Sequence, residues 1–392
     1  MATLKTSVLG IEFENPFLLA SAPPTASVEG IDKAFDMGWG GAVLKTITPD
    51  DMEMVEASPR YATIKEKGKV ICLQNIELLS HKFVQYWVDG INYLKNKYPT
   101  KVIIASIMAP VEQKEWQNLV KTLNDTPIDA YELNFSCPHG MPERNIGMAI
   151  GTSAEISGLI TSWVKSVATK PLFVKLTPNV TSITWIADAV ERAGADGLAA
   201  INTVQGFLGI NLETLEPILN IDGQTTYGGL SGRAIKPIGF RCVAQLRQNS
   251  NLPVLGMGGI SNWEDAAQYI ALGADAVQIC TEVMLNGYEI INKLKSGLLN
   301  YLESKGFNDI SELKNIAIPK ITSHEKLNKK NHLYPFIDKE KCVSCGKCVK
   351  ICAESEYHAL NFEEEKVKLN KEICAGCSLC SHICPKEAIK MS

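Results

Sequence analysis

The apolar residues in the first three quarters of the chain fall into eight short runs, and a segment with helical periodicity follows each run. A short hairpin over residues 4–13 precedes them. The runs predict the strands Phe17–Ser21, Ala42–Thr46, Val102–Ile107, Ala130–Asn134, Leu172–Leu176, Gly197–Ile201, Val254–Gly256 and Ala276–Ile279. Eight such units in about 290 residues fit one closed parallel (β/α)8 barrel, a TIM barrel of the α/β class. A doubly wound open sheet is the alternative, but such a sheet normally has fewer strands.

The connections between these units differ in length. Long loops are predicted after the second strand, up to Asn75, and after the sixth strand, up to Gly232. The segment Val283–Tyr301 is predicted to be one helix. Residues 305–335 are rich in lysine and asparagine with little periodicity, which indicates a solvated linker. The predicted organisation is a barrel over residues 1–304, a linker over 305–335 and a small domain over 336–392.

Polar residues and glycines follow six of the predicted strands, at the point where each strand ends. They are Lys45, Thr46, Asn134, Ser136, Cys137, Lys175, Thr177, Asn202, Thr203, Gly258, Gly259, Cys280 and Thr281. In a barrel the carboxyl ends of all strands converge on one face, where active sites lie. The glycines after the seventh strand and the Cys280–Thr281 turn fit a phosphate cradle, because bare backbone N–H groups can approach an anion closely. A cofactor with a phosphate group is therefore predicted.

The stretch Glu132–His139 is the centre of this predicted site. It begins as a strand and ends at Pro138, which cannot continue sheet pairing. A carboxamide, a hydroxyl and a thiol thus lie at one strand end, before a loop rich in glycine and proline that can open and close. The alternative interpretation is that Cys137 is an ordinary buried cysteine, which is the more frequent role of a single cysteine.

Composition excludes several classes of function. The net charge of −4 gives no electrostatic case for binding nucleic acid or an anionic membrane. No run approaches the roughly 20 apolar residues of a membrane-spanning helix. The N-terminus lacks the features of a secretory signal, so a cytoplasmic location is expected. No glycine-rich fingerprint for a nicotinamide dinucleotide or for ATP is present.

The cysteines near the C-terminus form the most specific pattern in the sequence. Two C-x2-C-x2-C-x3-C runs are typical of a two-cluster ferredoxin, in which each fourth cysteine ligates the other cluster. One predicted [4Fe–4S] cluster uses Cys342, Cys345, Cys348 and Cys384, and the other uses Cys374, Cys377, Cys380 and Cys352. Zinc is the alternative, because four-cysteine zinc sites also use C-x2-C pairs. The pattern predicts a small α+β ferredoxin-like domain in a reducing compartment.

Several motifs resemble those of a known family. They are Asn15–Phe17, Asn75–Leu78, Asn134–Met141, Lys175–Val180, Thr225–Gly229 and Gly258–Ile260. In these motifs the barrel resembles the flavin-dependent dihydroorotate and dihydropyrimidine dehydrogenases. With the ferredoxin-like domain, nearly the whole chain is similar to the pyrimidine-reducing subunits of bacterial NAD-dependent dihydropyrimidine dehydrogenases.

The resemblance implies FMN as the cofactor of the barrel. The implied contacts are Ala20, Ser21, Lys45, Thr46, Asn75, Asn134, Lys175, Asn202, Gly232, Gly258, Gly259, Cys280 and Thr281. Lys175 would lie near the N1 side of the flavin, where a cation stabilises the anionic reduced form.

The resemblance also implies a pyrimidine substrate, held by Asn75, Glu77, Asn134, Ser136, Asn202 and Thr203. Carboxamides suit a uracil ring, because each offers a donor and an acceptor to alternating N–H and C=O groups. Cys137 would be the catalytic acid or base at C5, and an unperturbed thiol pKa of about 8.5 suits that role.

The similar animal enzyme carries a further N-terminal part that this chain lacks. A separate NAD(P)H- and FAD-binding iron–sulfur flavoprotein subunit is therefore implied, together with a homodimer of barrels inside a hetero-oligomer. Two alternatives stay open: a dihydroorotate dehydrogenase, and an electron-transfer subunit without catalysis of its own. Glu77 bears on the first, because dihydroorotate dehydrogenases usually have glycine there. Glu77 is expected to point toward the pyrimidine, although an isolated glutamate would more often face solvent at a helix start.

Overall fold

The computed structural model describes residues 2–52, 54–136, 146–363 and 366–392. The chain divides into two compact units, Met1–Ile321 and Thr322–Ser392. The predicted catalytic residue Cys137 and most of the loop after it lie outside the described residues.

The strands are numbered in chain order through both units. They are β1 (Thr6–Val8), β2 (Ile11–Phe13), β3 (Phe17–Leu19), β4 (Gly41–Val43), β5 (Tyr61–Glu66), β6 (Lys69–Asn75), β7 (Val102–Ile107), β8 (Ala130–Asn134), β9 (Leu172–Leu176), β10 (Gly197–Ala200), β11 (Val204–Gly206), β12 (Ile210–Asn211), β13 (Glu216–Pro217), β14 (Gly228–Ser231), β15 (Val254–Met257), β16 (Ala276–Ile279), β17 (Pro335–Ile337), β18 (Leu360–Glu363), β19 (Lys366–Leu369) and β20 (Ile389–Met391).

The helices are numbered in the same way. They are α1 (Val28–Asp36), α2 (Val84–Lys97), α3 (Gln113–Asn124), α4 (Met148–Gly151), α5 (Ala154–Lys165), α6 (Ile183–Arg192), α7 (Lys236–Asn249), α8 (Trp263–Ala271), α9 (Thr281–Asn286), α10 (Ile290–Lys305), α11 (Lys347–Glu354) and α12 (Leu379–Ile383). Among the described residues, no helix combines the length and the apolar character needed to cross a membrane.

Eight strands of the first unit form a closed barrel. The order around it is β3, β4, β7, β8, β9, β10, β15 and β16, and β16 pairs with β3 to close the ring. All eight pairings are parallel. These are the eight strands expected from the apolar runs, so the predicted (β/α)8 barrel is confirmed.

The barrel strands are buried on both faces, which explains why they read as nearly continuous apolar runs. Alternate residues separate into two buried clusters, as the period of two along a strand requires. Leu18, Ile104 and Phe173 belong to the smaller cluster, and their neighbours pack in the larger one against the helices. The smaller cluster also contains Val8 and Phe13, so the β1–β2 hairpin covers that end of the barrel interior.

The helix predicted over Val283–Tyr301 is two helices, α9 and α10. Gly287 separates them with a φ of 81°, a conformation that glycine adopts without steric cost. The helical periodicity on both sides of Gly287 is real, but the single long helix was wrong.

The two long loops predicted after the second and sixth barrel strands contain β-structure. Strands β5, β6, β11 and β14 form an antiparallel sheet in the order β11, β14, β6, β5. The β5–β6 hairpin turns at Lys67–Gly68, where both residues have positive φ. This sheet joins the two connections that leave the carboxyl ends of β4 and β10.

The first unit extends beyond residue 304, into the predicted linker. Ile310 and Leu313 are buried in the core of this unit. The backbone N–H of Asn315 and Ala317 donate to the carbonyls of Ile270 and Ala271 at 3.2 and 3.0 Å. Two apolar residues in a lysine-rich stretch are too few to produce a visible period, yet they attach residues up to Ile321 to the barrel unit.

The second unit has the α+β composition expected of its sequence. Strand β17 pairs with β20 and β18 with β19, both antiparallel. Helices α11 and α12 each begin next to the third cysteine of a run. A small core contains Leu360 and Ile389 together with Cys348 and Cys380.

Candidate active site

A cavity opens where the barrel strands end, and it collects the residues that the sequence singled out. Its lining includes Ala20, Ser21, Lys45, Thr46, Asn75, Glu77, Asn134, Lys175, Asn202, Thr203, Gly232, Gly258, Gly259, Cys280 and Thr281. Ser136 does not line the cavity but bonds to two residues that do. Of the predicted site residues, Cys137 alone lies outside the part of the chain that the structure describes.

A chain of hydrogen bonds holds the carboxamides of this cavity in place. Asn134 Nδ2 donates to Thr46 Oγ1 at 2.9 Å, and Asn134 Oδ1 accepts from the Ser136 hydroxyl at 3.1 Å. Asn202 Nδ2 donates to the same Ser136 Oγ at 2.7 Å, and its Oδ1 accepts from the Thr203 N–H at 2.8 Å. Because each amide has a fixed partner, the donor and acceptor ends of Asn134 and Asn202 are oriented before any ligand binds.

Asn75 and Thr203 add two further polar groups at the antiparallel sheet. Asn75 Nδ2 donates to the Gly229 carbonyl at 2.9 Å. The Thr203 Oγ1 is buried, and among the described residues it has no hydrogen-bond partner. A Cβ at Gly229 would lie 2.2 Å from that oxygen, so only glycine fits beside it. A buried hydroxyl without a partner needs an explanation, and a ligand in the cavity is a direct one.

Gly258 and Gly259, which belong to the predicted phosphate cradle, lie beside a third glycine, Gly232. Gly232, Gly258 and Gly259 have φ values of 84°, 124° and 74°. A Cβ on Gly259 would lie 2.8 Å from the Gly232 carbonyl oxygen, so a residue without a side chain is needed at this position. The N-terminus of α9 at Thr281 lines the same cavity. Backbone N–H groups and a helix N-terminus together suit a phosphate.

Two lysines bring positive charge into the cavity from two separate strands of the barrel. Lys45 follows β4 and Lys175 lies on β9, and both are buried. Lys45 Nζ lies 3.0 Å from Glu77 Oε1, and Lys175 Nζ lies 3.8 Å from Glu132 Oε1. Buried cations need such partners, because an unpaired charge away from water is costly.

Glu77 is part of the cavity wall and does not face solvent, since its side chain is only 15% exposed. Its Oε2 accepts from the Tyr61 hydroxyl at 2.5 Å and lies 3.1 Å from Arg60 Nε. Burial alone would raise the pKa of Glu77, but Lys45, Tyr61 and Arg60 outweigh it and lower the pKa. The carboxylate is therefore ionised near neutral pH and compensated by two cations.

Tyr61 and Arg60 were missed at the level of the sequence, because they lie where a loop was predicted. A signal was present, because strand-favouring residues stand on both sides of the Lys67–Gly68 turn, namely Thr63 and Ile64 before it and Val70 and Ile71 after it. Burial and the neighbouring Glu77 raise the pKa of Tyr61, so its hydroxyl stays protonated and donates.

Cys280 lies at the cavity as expected, and its environment makes it a neutral thiol. Burial raises the pKa of Cys280 to about 11, although Lys175 and Lys45 act in the opposite direction. A thiol with that pKa is protonated near neutral pH.

The eight cysteines of the second unit separate into two sets, each around its own small cavity. One set is Cys342, Cys345, Cys348 and Cys384, and the other is Cys352, Cys374, Cys377 and Cys380. These are the two sets predicted from the crossing pattern. Among the described residues, no group of three or more His, Cys, Asp or Glu is placed to hold a single metal ion. Four thiols around one cavity are the ligand set of a [4Fe–4S] cluster.

Comparison with known proteins agrees with this division of the chain. A family model described as dihydroorotate dehydrogenase matches residues 3–302, and one described as a 4Fe-4S dicluster domain matches residues 335–391. The NAD-dependent dihydropyrimidine dehydrogenase subunit PreA of Escherichia coli K12 is 37% identical over 92% of this chain and 88% of its own length.

Two further relatives come from other branches of life. The chloroplastic dihydropyrimidine dehydrogenase (NADP(+)) of Arabidopsis thaliana is 35% identical over 83% of this chain and 80% of its own length. The catalytic subunit of dihydroorotate dehydrogenase B (NAD(+)) of Pyrococcus horikoshii is 35% identical over 80% of this chain and 98% of its own length.

The residues of the cavity fit the cofactor of this family, which is FMN. The glycine cradle suits its phosphate, and Lys175 supplies a buried cation. The Thr203 hydroxyl supplies a polar group that no described residue hydrogen-bonds. The two cysteine sets fit the clusters of a dicluster domain. The chain belongs to the dihydroorotate dehydrogenase family, with FMN as the cofactor of its barrel and two [4Fe–4S] clusters in its C-terminal unit.

Proposed function

We propose that this chain interconverts uracil or thymine with the corresponding 5,6-dihydropyrimidine. The observation that carries the proposal is the set of hydrogen-bonded carboxamides that line the cavity, formed by Asn75, Asn134 and Asn202, together with the Thr203 hydroxyl. A uracil ring presents alternating N–H and C=O groups at its edge. Oriented amides match such an edge, because each offers one acceptor and one two-proton donor.

The protein residues divide the work in the proposed reaction. FMN, when bound, supplies hydride transfer chemistry. The amides orient the ring, and Ser136 holds Asn134 and Asn202 in register through its single hydroxyl. Cys137, which follows Ser136 directly in the sequence, moves the proton at C5 of the pyrimidine. Lys175 provides the buried positive charge that offsets negative charge gained during reduction.

The electrons reach this chain from a second protein. The Escherichia coli relative is named as a subunit, which supports a partner for this chain. We propose an NAD(P)H-oxidising, FAD-binding iron–sulfur flavoprotein as that partner, with the eight cysteines as ligands of the relaying clusters. The proposed assembly is a homodimer of barrels within a hetero-oligomer.

A dihydroorotate dehydrogenase is the second candidate function. The family model and the Pyrococcus horikoshii relative favour it. Lys45 and Arg60 also offset the charge of Glu77, so the site would repel a substrate carboxylate less strongly than Glu77 without these cations would. An electron-transfer subunit without catalysis is less well supported, because the oriented amides line the cavity. Oxidation of dihydrouracil and of dihydroorotate, assayed side by side with an artificial acceptor, decides between these functions.

The cluster assignment predicts the iron content. Protein purified without oxygen should hold roughly eight iron atoms per chain, four for each set of cysteines. Metal analysis and acid-labile sulfide measure this directly. Stoichiometric zinc without iron would show that the four-thiol sites hold single ions instead.

The need for a partner predicts how the isolated chain behaves. It should not oxidise NADH or NADPH, since the sequence contains no dinucleotide fingerprint. It should still pass electrons from a dihydropyrimidine to a dye, because FMN and the substrate site belong to this chain. Both activities are measured by absorbance on one preparation, and direct nicotinamide turnover by the single chain would contradict the proposed partner.

A further inference from the structure

Glu132 is a fully buried carboxylate that the proposed reaction does not use. It lies on β8 and does not line the cavity, whereas Lys175 on β9 and Gln278 on β16 do. Glu132 Oε2 accepts a hydrogen bond from Gln278 Nε2 at 2.7 Å. Its Oε1 lies 3.8 Å from Lys175 Nζ. Three barrel strands thus bring one buried acid, one buried lysine and one buried amide together.

The polar atoms of this group are only partly satisfied. Among the described residues, Glu132 Oε1 and Gln278 Oε1 have no hydrogen-bond partner. An ionised acid in this environment needs a partner that compensates its charge, because a buried charge is costly unless it is paired. Burial raises the pKa of Glu132 above its ordinary value, and Lys175 and the Gln278 hydrogen bond offset that rise only in part. Among the described residues, Lys175 is the cation paired with Glu132, and its charge at 3.8 Å is what favours the ionised acid.

We propose that Glu132 is a positioning residue, which acts as the ionised counter-ion of Lys175 and through that lysine sets the reduction potential of bound FMN. Among the described residues, Glu132 is the one carboxylate paired with Lys175. The lysine is nearly as deeply buried as the acid, so neither charge has water as a substitute partner. The inference rests on FMN as the cofactor and not on the choice between pyrimidine substrates.

The sign of the effect follows from the charges. Reduction adds negative charge to FMN, and a cation at the cavity favours it. Glu132 neutralises part of the field of Lys175 and so disfavours reduction. Removal of the Glu132 charge should therefore leave the lysine uncompensated and make FMN easier to reduce.

The variant Glu132→Gln tests this directly, because glutamine keeps the length of the side chain and can still accept from Gln278. The FMN midpoint potential is measured by spectroelectrochemistry on the full chain. We expect the equilibrium to shift at least about tenfold toward reduced FMN, which is about 30 mV for a two-electron couple. The proposal is overturned if the ratio of reduced to oxidised FMN changes by less than about twofold, or if the equilibrium shifts toward oxidised FMN.

A matched control removes one carboxylate elsewhere on the same unit. Glu14 accepts from the Thr100 hydroxyl at 2.6 Å and pairs with Lys101, and neither partner lines the cavity. The variant Glu14→Gln changes the net charge by the same amount and should leave the midpoint of FMN unchanged. An equal shift in both variants would mean a general charge effect and would overturn the specific role of Glu132.

A second measurement needs no FMN and covers the case in which Glu132→Gln does not retain the cofactor. Glu132→Gln leaves a buried lysine unpaired and should lower the thermal midpoint of the apoprotein. Adding Lys175→Met removes the unpaired charge, so the double variant should unfold at a higher temperature than Glu132→Gln alone. If the two substitutions instead lower the midpoint additively, Glu132 and Lys175 are not a coupled pair and the proposal fails.

Discussion

Replacement of Cys137 by alanine should leave FMN bound and reduce turnover at least about a hundredfold, the low end for loss of a general acid. Ser136, which holds the amides of Asn134 and Asn202 by hydrogen bonds, directly precedes Cys137 in the sequence. The substitution removes the group that takes the C5 proton when dihydrouracil is oxidised, and it leaves those amides and the glycine cradle intact. Flavin content and dihydrouracil oxidation, measured on the same preparation, separate the loss of chemistry from the loss of cofactor.

Two variants sharpen this test. Cys137→Ser should be slow near neutral pH and recover at high pH, because a hydroxyl is far less acidic than a thiol. Cys242→Ala removes a buried thiol on α7, outside the cavity lining, and should keep the turnover of the parent. Equal turnover of Cys137→Ala and the parent would assign Cys137 to packing.

The barrel could be predicted because its strands are buried on both faces and its helices are amphipathic, so each unit carries a local signal. The convergence of Lys45, Asn134, Lys175 and Asn202 on one cavity follows from the parallel topology alone. The two cysteine sets are equally accessible to sequence reasoning, because ligand spacing is a local property. In each of these cases, the information lies within a few residues of the chain.

The partners of the charged residues could not be predicted in the same way. Arg60 and Tyr61 reach Glu77 from a hairpin, and Gln278 reaches Glu132 across 146 residues of sequence. Such pairs depend on side-chain placement in three dimensions and leave no period in the sequence. The same is true of residues 306–321, which join the barrel unit through the buried side chains of Ile310 and Leu313 and through backbone hydrogen bonds.

The pairing of Glu77 limits how strongly its charge can exclude a substrate that carries a carboxylate. Two carboxylates about 4 Å apart repel by about 4 kcal/mol at an effective dielectric constant of about 20, which is roughly a thousandfold in affinity. That value is a ceiling here, because Lys45 at 3.0 Å and Arg60 at 3.1 Å compensate the Glu77 charge. We still expect negligible turnover of dihydroorotate by the parent protein, since both cations are already paired and cannot serve the substrate's carboxylate fully.

Substitution of Glu77 should therefore do more than remove a repulsion, because it takes away the carboxylate that Lys45 and Arg60 share at this site. Glu77→Gln removes the charge and keeps the side-chain volume, whereas Glu77→Gly also makes room. If both variants gain activity with dihydroorotate, the charge of Glu77 excludes this substrate. If only the glycine variant gains activity, the volume of the side chain excludes it. We expect both to gain, by up to about a thousandfold in the ratio of kcat/KM for dihydroorotate over dihydrouracil. Both should also turn over dihydrouracil more weakly, because Glu77 holds Lys45 in place.

Tyr61→Phe is the matched control, since it removes the hydroxyl that donates to Glu77 at 2.5 Å but none of the charges, and it should leave the ratio nearly unchanged. If the parent protein oxidises dihydroorotate as well as dihydrouracil, the paired Glu77 excludes nothing, and the chain is a dihydroorotate dehydrogenase in function as well as in family.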